Sequence, residues 1–287
     1  MRTTKCSAIL SAVITAGVLL ASAGAAGAAP ASGSGYNDWS CRPSAAHPYP
    51  VVALHGLGGT ADDSFPVLGP YLADAGYCVF ALTYGQPNPA LPIGGLEPVA
   101  TSAQQIAAFI DRVRGTTGAA KVELFGHSEG AFLALYVPKV LGYANRIDRV
   151  VALAPPTHGT SFDNAVTVAD LVGLRPELDQ VLQAGCAPCA EVEPGGSAVK
   201  ALTAGPIAQP GLRYSVIESR TDEVVTPPSS AFIAEPGVSN AYVQDTCPLD
   251  LVGHIGLVFD TGVAAMVRNA LDPAHPVAVP CALGLPV

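Results

Sequence analysis

The chain has 287 residues, of which 49% are hydrophobic and 13% are charged, and its formal net charge is −9. Disordered chains combine low hydrophobicity with high charge, so this composition excludes that class. The 14 basic residues against 23 acidic ones do not favour the basic face that a nucleic-acid-binding protein needs. The length fits one large α/β domain or two small ones.

The beginning of the chain has the pattern of a secretory signal peptide. Arg2 and Lys5 precede an uncharged apolar segment at residues 8–20, and small-residue cleavage sequences follow it. A membrane anchor is the alternative, but the strongly apolar part is short for a span of roughly 20 residues. We therefore expect a signal peptide at residues 1–28, a flexible leader at residues 29–40, and a protein that is secreted and extracellular. Removal of the signal peptide lowers the formal net charge from −9 to −11, because two basic residues leave with it.

Apolar segments of strand length alternate with helical patterns along the rest of the chain. The predicted strands are residues 51–54, 77–84, 121–125, 149–154, 212–218 and 241–244. The predicted helices are one that begins at a capping box of Ser102 and Gln105, one at residues 131–141 and a closing one at residues 258–271. Strands separated by helices predict an α/β fold with a mostly parallel sheet and helices on both faces.

The regular alternation of strands and helices is lost between residues 157 and 210, which predicts an insertion over the carboxyl edge of the sheet rather than a second domain. Helical pieces, Gly and Pro breaks and a C-x-x-C sequence replace the strand–helix alternation there.

A G-x-S-x-G sequence, Gly126-His127-Ser128-Glu129-Gly130, lies between a predicted strand and a predicted helix. The sequence is a weak signal on its own, but the strand–turn–helix context is the one that a nucleophilic serine requires. The serine would be exposed at a helix N-terminus, where the helix dipole favours developing negative charge. We therefore predict that Ser128 is a nucleophile.

A serine nucleophile needs a histidine as its base and an acid that orients the histidine. In α/β folds that carry the serine in such a strand–turn–helix segment, the chain order is serine, acid, histidine. His254 lies in a loop between the last predicted strand and the last predicted helix. We favour it over His275, which lies beyond that helix.

The predicted acid is Asp222, which lies just after the strand at residues 212–218. Glu223 is its nearest competitor. Asp245 and Asp250 also precede His254, but we interpret them as loop carboxylates because they are so close to it in sequence.

A glycine-rich segment, His55-Gly56-Leu57-Gly58-Gly59, follows the first predicted strand. Glycines let the backbone approach a substrate carbonyl, and we predict that the backbone N–H groups of Leu57 and Glu129 are the two donors of an oxyanion hole. We interpret His55 as a structural histidine that braces this loop. His127 is interpreted as a residue packed beside the serine turn.

Several of these segments together resemble the secreted lipases of the α/β-hydrolase fold. The segments are VALHGLGGT, LFGHSEG, ALAPPTHGT, ESRTDEVVTP and VGHIGL. Their details are similar to bacterial triacylglycerol lipases and to the fungal lipase-B type. The resemblance implies a single α/β-hydrolase domain at residues 41–287, with a small helical, cap-like insertion at about residues 157–210 near the active site. It also implies Ser128 as nucleophile, Asp222 as acid and His254 as base, with Leu57 and Glu129 at the oxyanion hole.

Six cysteines remain once Cys6 is removed with the signal peptide, and an even number in an exported chain suggests three disulfides. The C-x-x-C sequence could be redox-active or half of a metal site, but a local disulfide is the favoured interpretation. The residues alone leave the pairing open. The resemblance implies the pairs Cys41–Cys78, Cys186–Cys189 and Cys247–Cys281.

Two residues depart from the pattern of these lipases. Glu129 follows the nucleophile, where Gln, Met or Gly is more usual, so its side chain must point away, pair with a cation or be partly protonated. Leu57 stands where the fungal group has a threonine, and it offers only its backbone N–H.

The resemblance implies a triacylglycerol lipase that needs no cofactor and acts on lipid or ester substrates, with transient contact with a lipid interface. A short-chain carboxylesterase or cutinase-like polyester hydrolase is the alternative, and a non-catalytic secreted binding protein is a remote one. We expect no nucleic-acid partner and a monomer. Carboxylates are available for structural Ca²⁺, but no loop pattern identifies a site; they are Asp62, Asp63, Asp245 and Asp250.

Apolar residues of the insertion could line an acyl groove or form a small lid, or they could simply cover the sheet. They are Leu171, Val172, Leu174, Leu178, Val181 and Leu182.

Overall fold

The computed structural model describes residues 35–161 and 185–286. Its strands are β1 (Val51–Leu54), β2 (Val79–Leu82), β3 (Val122–His127), β4 (Ile147–Leu153), β5 (Arg213–Glu218) and β6 (Val238–Tyr242). They form one sheet in the order β2-β1-β3-β4-β5-β6, and every neighbouring pair is parallel. The carboxyl ends of all six strands therefore lie along one edge, where the loops that follow them meet.

Helices cover both faces of the sheet. They are α1 (Leu68–Asp74), α2 (Val99–Thr117), α3 (Glu129–Val140), α4 (Ala187–Glu191), α5 (Ser197–Thr203), α6 (Val243–Thr246) and α7 (Thr261–Leu271). Short 3₁₀ turns occur at Ala144–Arg146, Pro228–Ala231 and Gly256–Val258.

Two apolar layers hold these helices to the sheet. Leu124 of β3 faces the layer that contains α2, α3 and α5, whereas the next residue, Phe125, faces the layer that contains α1 and α7. This alternation follows from the strand period of two residues and requires β3 to be apolar on both faces. The predicted α/β class, with a mostly parallel sheet and helices on both faces, is confirmed.

The predicted capping box at the start of α2 is wrong. The helix begins at Val99, directly after Pro98, so Ser102 and Gln105 lie inside it. A proline has its φ angle fixed and lacks an N–H, so it suits a helix start. The backbone N–H of Val99 is satisfied instead by the carboxylate of Glu191, with N and Oε2 2.6 Å apart.

The last two predicted elements are displaced along the chain. The strand predicted at residues 241–244 ends at Tyr242, and α6 follows it, with Asp245 Oδ2 accepting the backbone N–H of Tyr242. The closing helix starts at Thr261 rather than at residue 258, because the Asp260 side chain caps it by accepting the N–H of Val263.

The six cysteines form the three pairs that the resemblance implied. The predicted signal peptide, the first part of the leader and the apolar run at residues 171–182 lie outside the described residues. Within the part of the chain that the structure describes, no helix is long and apolar enough to cross a membrane.

Candidate active site

Ser128 lies in the sharp turn between β3 and α3. Its φ of 55° is in the left-handed region, which is unusual for a residue other than glycine. Both flanking glycines are required by packing, because a Cβ at Gly126 would overlap the backbone of Gly130, and a Cβ at Gly130 would overlap the carbonyl of Leu54. The two glycines let the turn come close to β1 and hold the serine at the edge of the sheet.

His254 connects Ser128 to Asp222. Its Nε2 lies 2.8 Å from Ser128 Oγ, and its Nδ1 lies 2.7 Å from Asp222 Oδ2. The histidine is 2% exposed. The three residues come from loops after β3, β5 and β6, and the parallel sheet brings these loops to one edge.

The Asp222 carboxylate is held in its ionised form. Burial on its own would raise the pKa of Asp222, but the hydrogen bond and charge of His254 and the backbone N–H of Val225 lower it below its ordinary value. Oδ1 accepts the N–H groups of Val224 and Val225, both at 2.8 Å. Oδ2 is left for His254 Nδ1–H, so the carboxylate fixes which ring nitrogen carries the proton.

Two hydroxyl groups tie the Asp222 loop to the His254 loop. Ser219 Oγ and Thr221 Oγ1 both donate to the carbonyl of Val252, at 2.5 Å and 2.7 Å. Glu223, the predicted competitor for the acid role, accepts the backbone N–H of His254 through Oε2 at 3.1 Å. It therefore supports the loop, while Asp222 contacts the ring.

The C-terminal tail supports the same loop from its other side. The backbone N–H of Leu251 donates to the carbonyl of Leu283, and that of Gly253 donates to Leu285, both at 2.8 Å. The Cys247–Cys281 disulfide joins the two segments covalently. The Cys247–Cys281 pair implied by the resemblance pointed to a connection between these segments, but their backbone pairing was not predicted, because the tail has no strand periodicity.

The predicted oxyanion-hole residues lie next to the serine. Glu129 is the first residue of α3, so its N–H is one of the helix N-terminal donors without a partner inside the helix. Leu57 lies in the loop after β1, and a pair of backbone bonds between Gly94 and the residues Gly58 and Gly59, at 2.9 Å and 3.0 Å, fixes that loop. Leu57, Ser128 and Glu129 line one cavity.

The Glu129 side chain is buried, and no lysine or arginine pairs with it in the part of the chain that the structure describes. It is 3% exposed, and within residues 35–161 and 185–286 neither carboxyl oxygen has a hydrogen-bond partner. Burial, and then the negative charge of Glu191, raise the pKa of Glu129 well above its ordinary value. A Cβ at Gly95 would overlap Glu129 Oε2 and lie 3.2 Å from Leu57 Cα, so the neutral acid lies beside the loop that carries Leu57.

The two other buried histidines of this edge, His55 and His127, make hydrogen bonds to backbone groups. His55 Nε2 accepts the N–H of Tyr84 at 3.2 Å, and its ring stacks on the Tyr84 ring. His127 Nε2 donates to the carbonyl of His254 at 3.0 Å. Burial lowers the pKa of His55 to about 4 and that of His127 to about 3, so both rings are neutral at pH 7.

A cavity of about 280 Å³ opens beside Ser128 and His254. Its wall is mostly apolar and includes Val224, Val225 and Phe259. Pro188 and Cys189, from the predicted insertion, complete one side. No lysine or arginine lines the cavity among the residues that the structure describes, so its charge is set by acids, histidines and backbone dipoles.

A buried acid that the sequence reasoning missed lies beside Asp222. Glu218 is the last residue of β5 and is 0% exposed. Burial, and then the charge of Asp222, raise the pKa of Glu218 well above its ordinary value. The sequence offers a weak signal, a glutamate directly after the apolar pair Val216 and Ile217 at the end of the strand, because a glutamate is almost never fully buried unless it is paired.

Three of the four candidate calcium ligands have other partners. Asp63 caps the N–H of Thr60, Asp245 pairs with Arg220, and Asp250 accepts the N–H of Val252. Across residues 35–161 and 185–286, no group of three or more His, Cys, Asp or Glu side chains is arranged to hold a metal ion.

A family profile of the α/β-hydrolase fold matches residues 49–182. Two curated triacylglycerol lipases, from Pseudarthrobacter phenanthrenivorans and Burkholderia plantarii, are each 31% identical to this chain over 130 residues, or 42% of it. The match covers 37% of the first relative and 33% of the second, so it spans little more than a third of their length.

Solved structures share the fold. Aspergillus fumigatus lipase B superimposes with a TM-score of 0.62 at 18% identity, over 81% of this chain and 54% of that one. The mature form of Bacillus licheniformis lipase BlEst2 gives a TM-score of 0.52 at 15% identity, over 70% of this chain and 86% of that one. The chain therefore has the α/β-hydrolase fold, and its resemblance to the lipases of that fold is confirmed.

Proposed function

We propose that the protein is a secreted serine hydrolase that cleaves carboxylic esters through an acyl-enzyme on Ser128, with triacylglycerols as its substrate class. The observation that carries the proposal is the continuous hydrogen-bond chain from Ser128 through His254 to Asp222, beside an apolar cavity. This arrangement is the one that activates a serine for acyl transfer.

The proposed reaction has two halves. His254 Nε2 takes the Ser128 proton while Oγ attacks the ester carbonyl, and the N–H groups of Leu57 and Glu129 stabilise the oxyanion. Each such donor contributes about 3 kcal/mol to lowering the barrier. His254, held by Asp222, then protonates the leaving alcohol. Water then attacks the acyl carbon while His254 takes its proton. His254 returns that proton to Ser128 Oγ as the bond from Oγ to the acyl carbon breaks, which releases the acid, and no cofactor takes part.

Exposed apolar side chains beside the cavity support contact with a lipid surface. Ile255 and Phe259 line the cavity and are 51% and 38% exposed. Leu251, Leu283 and Leu285 are more than half exposed and are joined by the backbone bonds between the His254 loop and the tail. Contiguous exposed apolar surface is typical of a binding surface. We propose that these five residues make transient contact with lipid and that the protein acts as a monomer.

A short-chain carboxylesterase or cutinase-like polyester hydrolase is the second candidate. The described cavity, at about 280 Å³, lies at the lower end of ligand pockets, which favours small acyl groups. Hydrolysis rates across acyl lengths, below and above substrate solubility, separate the two. A hydrolysis rate that rises once the substrate exceeds its solubility supports the lipase. This rise should be lost in a Leu283→Ser/Leu285→Ser variant and kept in Val140→Ser, the control. Saturation below solubility supports the esterase.

Secretion is proposed from the sequence of residues 1–28 and supported by the three disulfides, which form in oxidising compartments. Expression of the full chain with analysis of the culture medium tests it. The expected product starts near residue 29 and lacks Arg2 and Lys5. Retention of the intact chain in the membrane would contradict it.

The decisive variant is Ser128→Ala. We expect it to fold and to lose ester hydrolysis by roughly 10⁴-fold or more, because the nucleophile is gone. Ser239→Ala, on the exposed edge strand β6, is the matched control and should keep full activity. Unchanged hydrolysis by Ser128→Ala would overturn the proposal.

A further inference from the structure

Glu218 is a buried acid for which the proposed mechanism has no use. Its Oε1 accepts the backbone N–H of Ser219 at 2.7 Å, whereas Oε2 is buried and has no hydrogen-bond partner among the described residues while the group is ionised. The neighbouring group is the Asp222 carboxyl. Two carboxylates have no hydrogen to share, but a proton on either one turns the contact into an O–H···O bond.

The surroundings decide which of the two acids carries the proton. Asp222 receives the N–H groups of Val224 and Val225 and the Nδ1–H of His254. Glu218 receives a single backbone N–H and is fully buried. Three donors favour the charged form of Asp222, and burial beside that charge favours the neutral form of Glu218. The proton of the pair therefore belongs to Glu218.

We propose that Glu218, in its acid form, is a positioning residue that donates a hydrogen bond from Oε2 to the Asp222 carboxylate and so holds Asp222 in place for His254. This inference rests on the proposed function of Ser128. The neutral acid adds a fourth donor to Asp222 and leaves it as the single negative charge that contacts the imidazole.

Other charged groups around Glu218 do not replace this role. Arg220 pairs with Asp245 at the surface, and its side chain is 53% exposed. Glu223 binds the backbone N–H of His254. Tyr242, on the neighbouring strand β6, keeps its proton, because burial raises its pKa and the charge of Glu218 contributes to the same shift. Within the described residues, the Asp222 carboxyl is the side-chain hydrogen-bond partner of the Glu218 acid.

Two substitutions test whether Glu218 acts as a hydrogen-bond donor or only fills space in the core. Glu218→Gln keeps a donor of the same shape that cannot ionise, whereas Glu218→Leu keeps similar volume without a donor. A hydrogen bond to a charged group contributes roughly 1.5–3 kcal/mol, so we expect Glu218→Leu to lose about 10- to 100-fold in kcat with little change in KM. Its acid limb of kcat/KM should move to higher pH, because a more basic Asp222 holds the imidazolium more tightly. Glu218→Gln should restore kcat to within about threefold.

The experiment measures kcat and kcat/KM for a soluble ester as a function of pH. The concentration of active enzyme in each preparation is determined by titration with an organophosphonate. Glu123→Leu, a buried acid at the opposite end of the sheet, is the matched control and should leave the profile unchanged. If Glu218→Leu does not fold, the Gln variant still decides: normal kcat supports the donor role, and a loss above tenfold overturns it. A Glu218→Leu profile identical to the wild-type one also overturns it. Activity in Ser128→Ala would instead overturn the proposed function itself.

Discussion

The two ends of the parallel sheet neutralise buried acids in different ways. At the amino end, Glu123 lies against Arg149, with Oε1 and Nε 3.6 Å apart, and Asp148 pairs with Lys121 and Arg213. At the carboxyl end, Glu129, Glu218 and Asp222 are buried close to Ser128 and His254, and no lysine or arginine pairs with these three acids among the described residues.

The difference explains how the site keeps one negative charge. Burial raises the pKa of Glu123 to about 8 even though the charge of Arg149 opposes that shift. Without a cation, Glu129 and Glu218 keep their protons because burial raises the pKa of each, and Asp222 is ionised because donors surround it. Cations at the amino end favour the ionised form of Glu123 and Asp148, whereas retained protons at the carboxyl end leave His254 with a single carboxylate to contact.

The largest effect is expected from Asp222→Asn. The amide keeps the shape but leaves no charge to hold the Nδ1–H of His254, so we expect kcat to fall by roughly 10³- to 10⁴-fold with little change in stability. Steady-state kinetics on a soluble ester measures it. Asp148→Asn, at the amino end, is the control and should alter stability alone. If Asp222→Asn kept more than a tenth of the wild-type kcat, the charge at the carboxyl end would not be needed for catalysis, and the proposed difference between the two ends would be wrong.

Arg149→Met should affect stability and leave catalysis alone. Removal of one partner of a buried ion pair costs about 3 kcal/mol or more when the other partner stays charged. Glu123 can keep its proton below pH 8, so the loss should be larger at pH 9 than at pH 6. Denaturant unfolding at the two pH values measures it. A loss of kcat with unchanged unfolding free energy would mean that the amino end takes part in catalysis.

The smallest effect is expected from Glu129→Gln. The folded state holds a proton on Glu129 that the unfolded state loses above the ordinary glutamate range, so wild-type stability should fall as the pH rises through the interval up to the raised pKa. The amide has no proton to lose, so the free energy of unfolding of the variant, relative to that of the wild type, should rise by about 1 kcal/mol or more between pH 5.5 and pH 8.

Thermal unfolding at the two pH values follows this difference, with the exposed-acid variant Asp74→Asn as the control. The N–H of residue 129 is kept, so hydrolysis should also persist in Glu129→Gln. Equal pH dependence of stability in the variant and the wild type would show that Glu129 is ionised in the folded state.

Local signals in the sequence were enough to predict much of the fold. The strand at residues 51–54 matches β1, and the Gly126–Ser128–Gly130 spacing identified the turn, because close packing of a turn against a strand excludes side chains at both glycines. The chain order of serine, acid and histidine led to Asp222 and His254, which the structure places within hydrogen-bonding distance.

What the sequence could not predict depends on contacts between distant segments. The bond from Val99 to Glu191 joins residues 92 positions apart, so local capping rules pointed to the wrong helix start. The pairing of the tail with the His254 loop has no periodicity to show it. The proton on Glu218 depends on three donors that converge on Asp222, and their number becomes visible only in the folded chain.

The most direct test of the central claim is covalent labelling with an alkyl p-nitrophenyl phosphonate, followed by peptide mass spectrometry. We expect a single adduct on Ser128 that forms together with the loss of ester hydrolysis. The adduct should be absent in Ser128→Ala and strongly slowed in His254→Ala, because the imidazole takes the proton of the attacking hydroxyl. An active protein that carries no label on Ser128, or that is inactivated by a label elsewhere, would contradict the account.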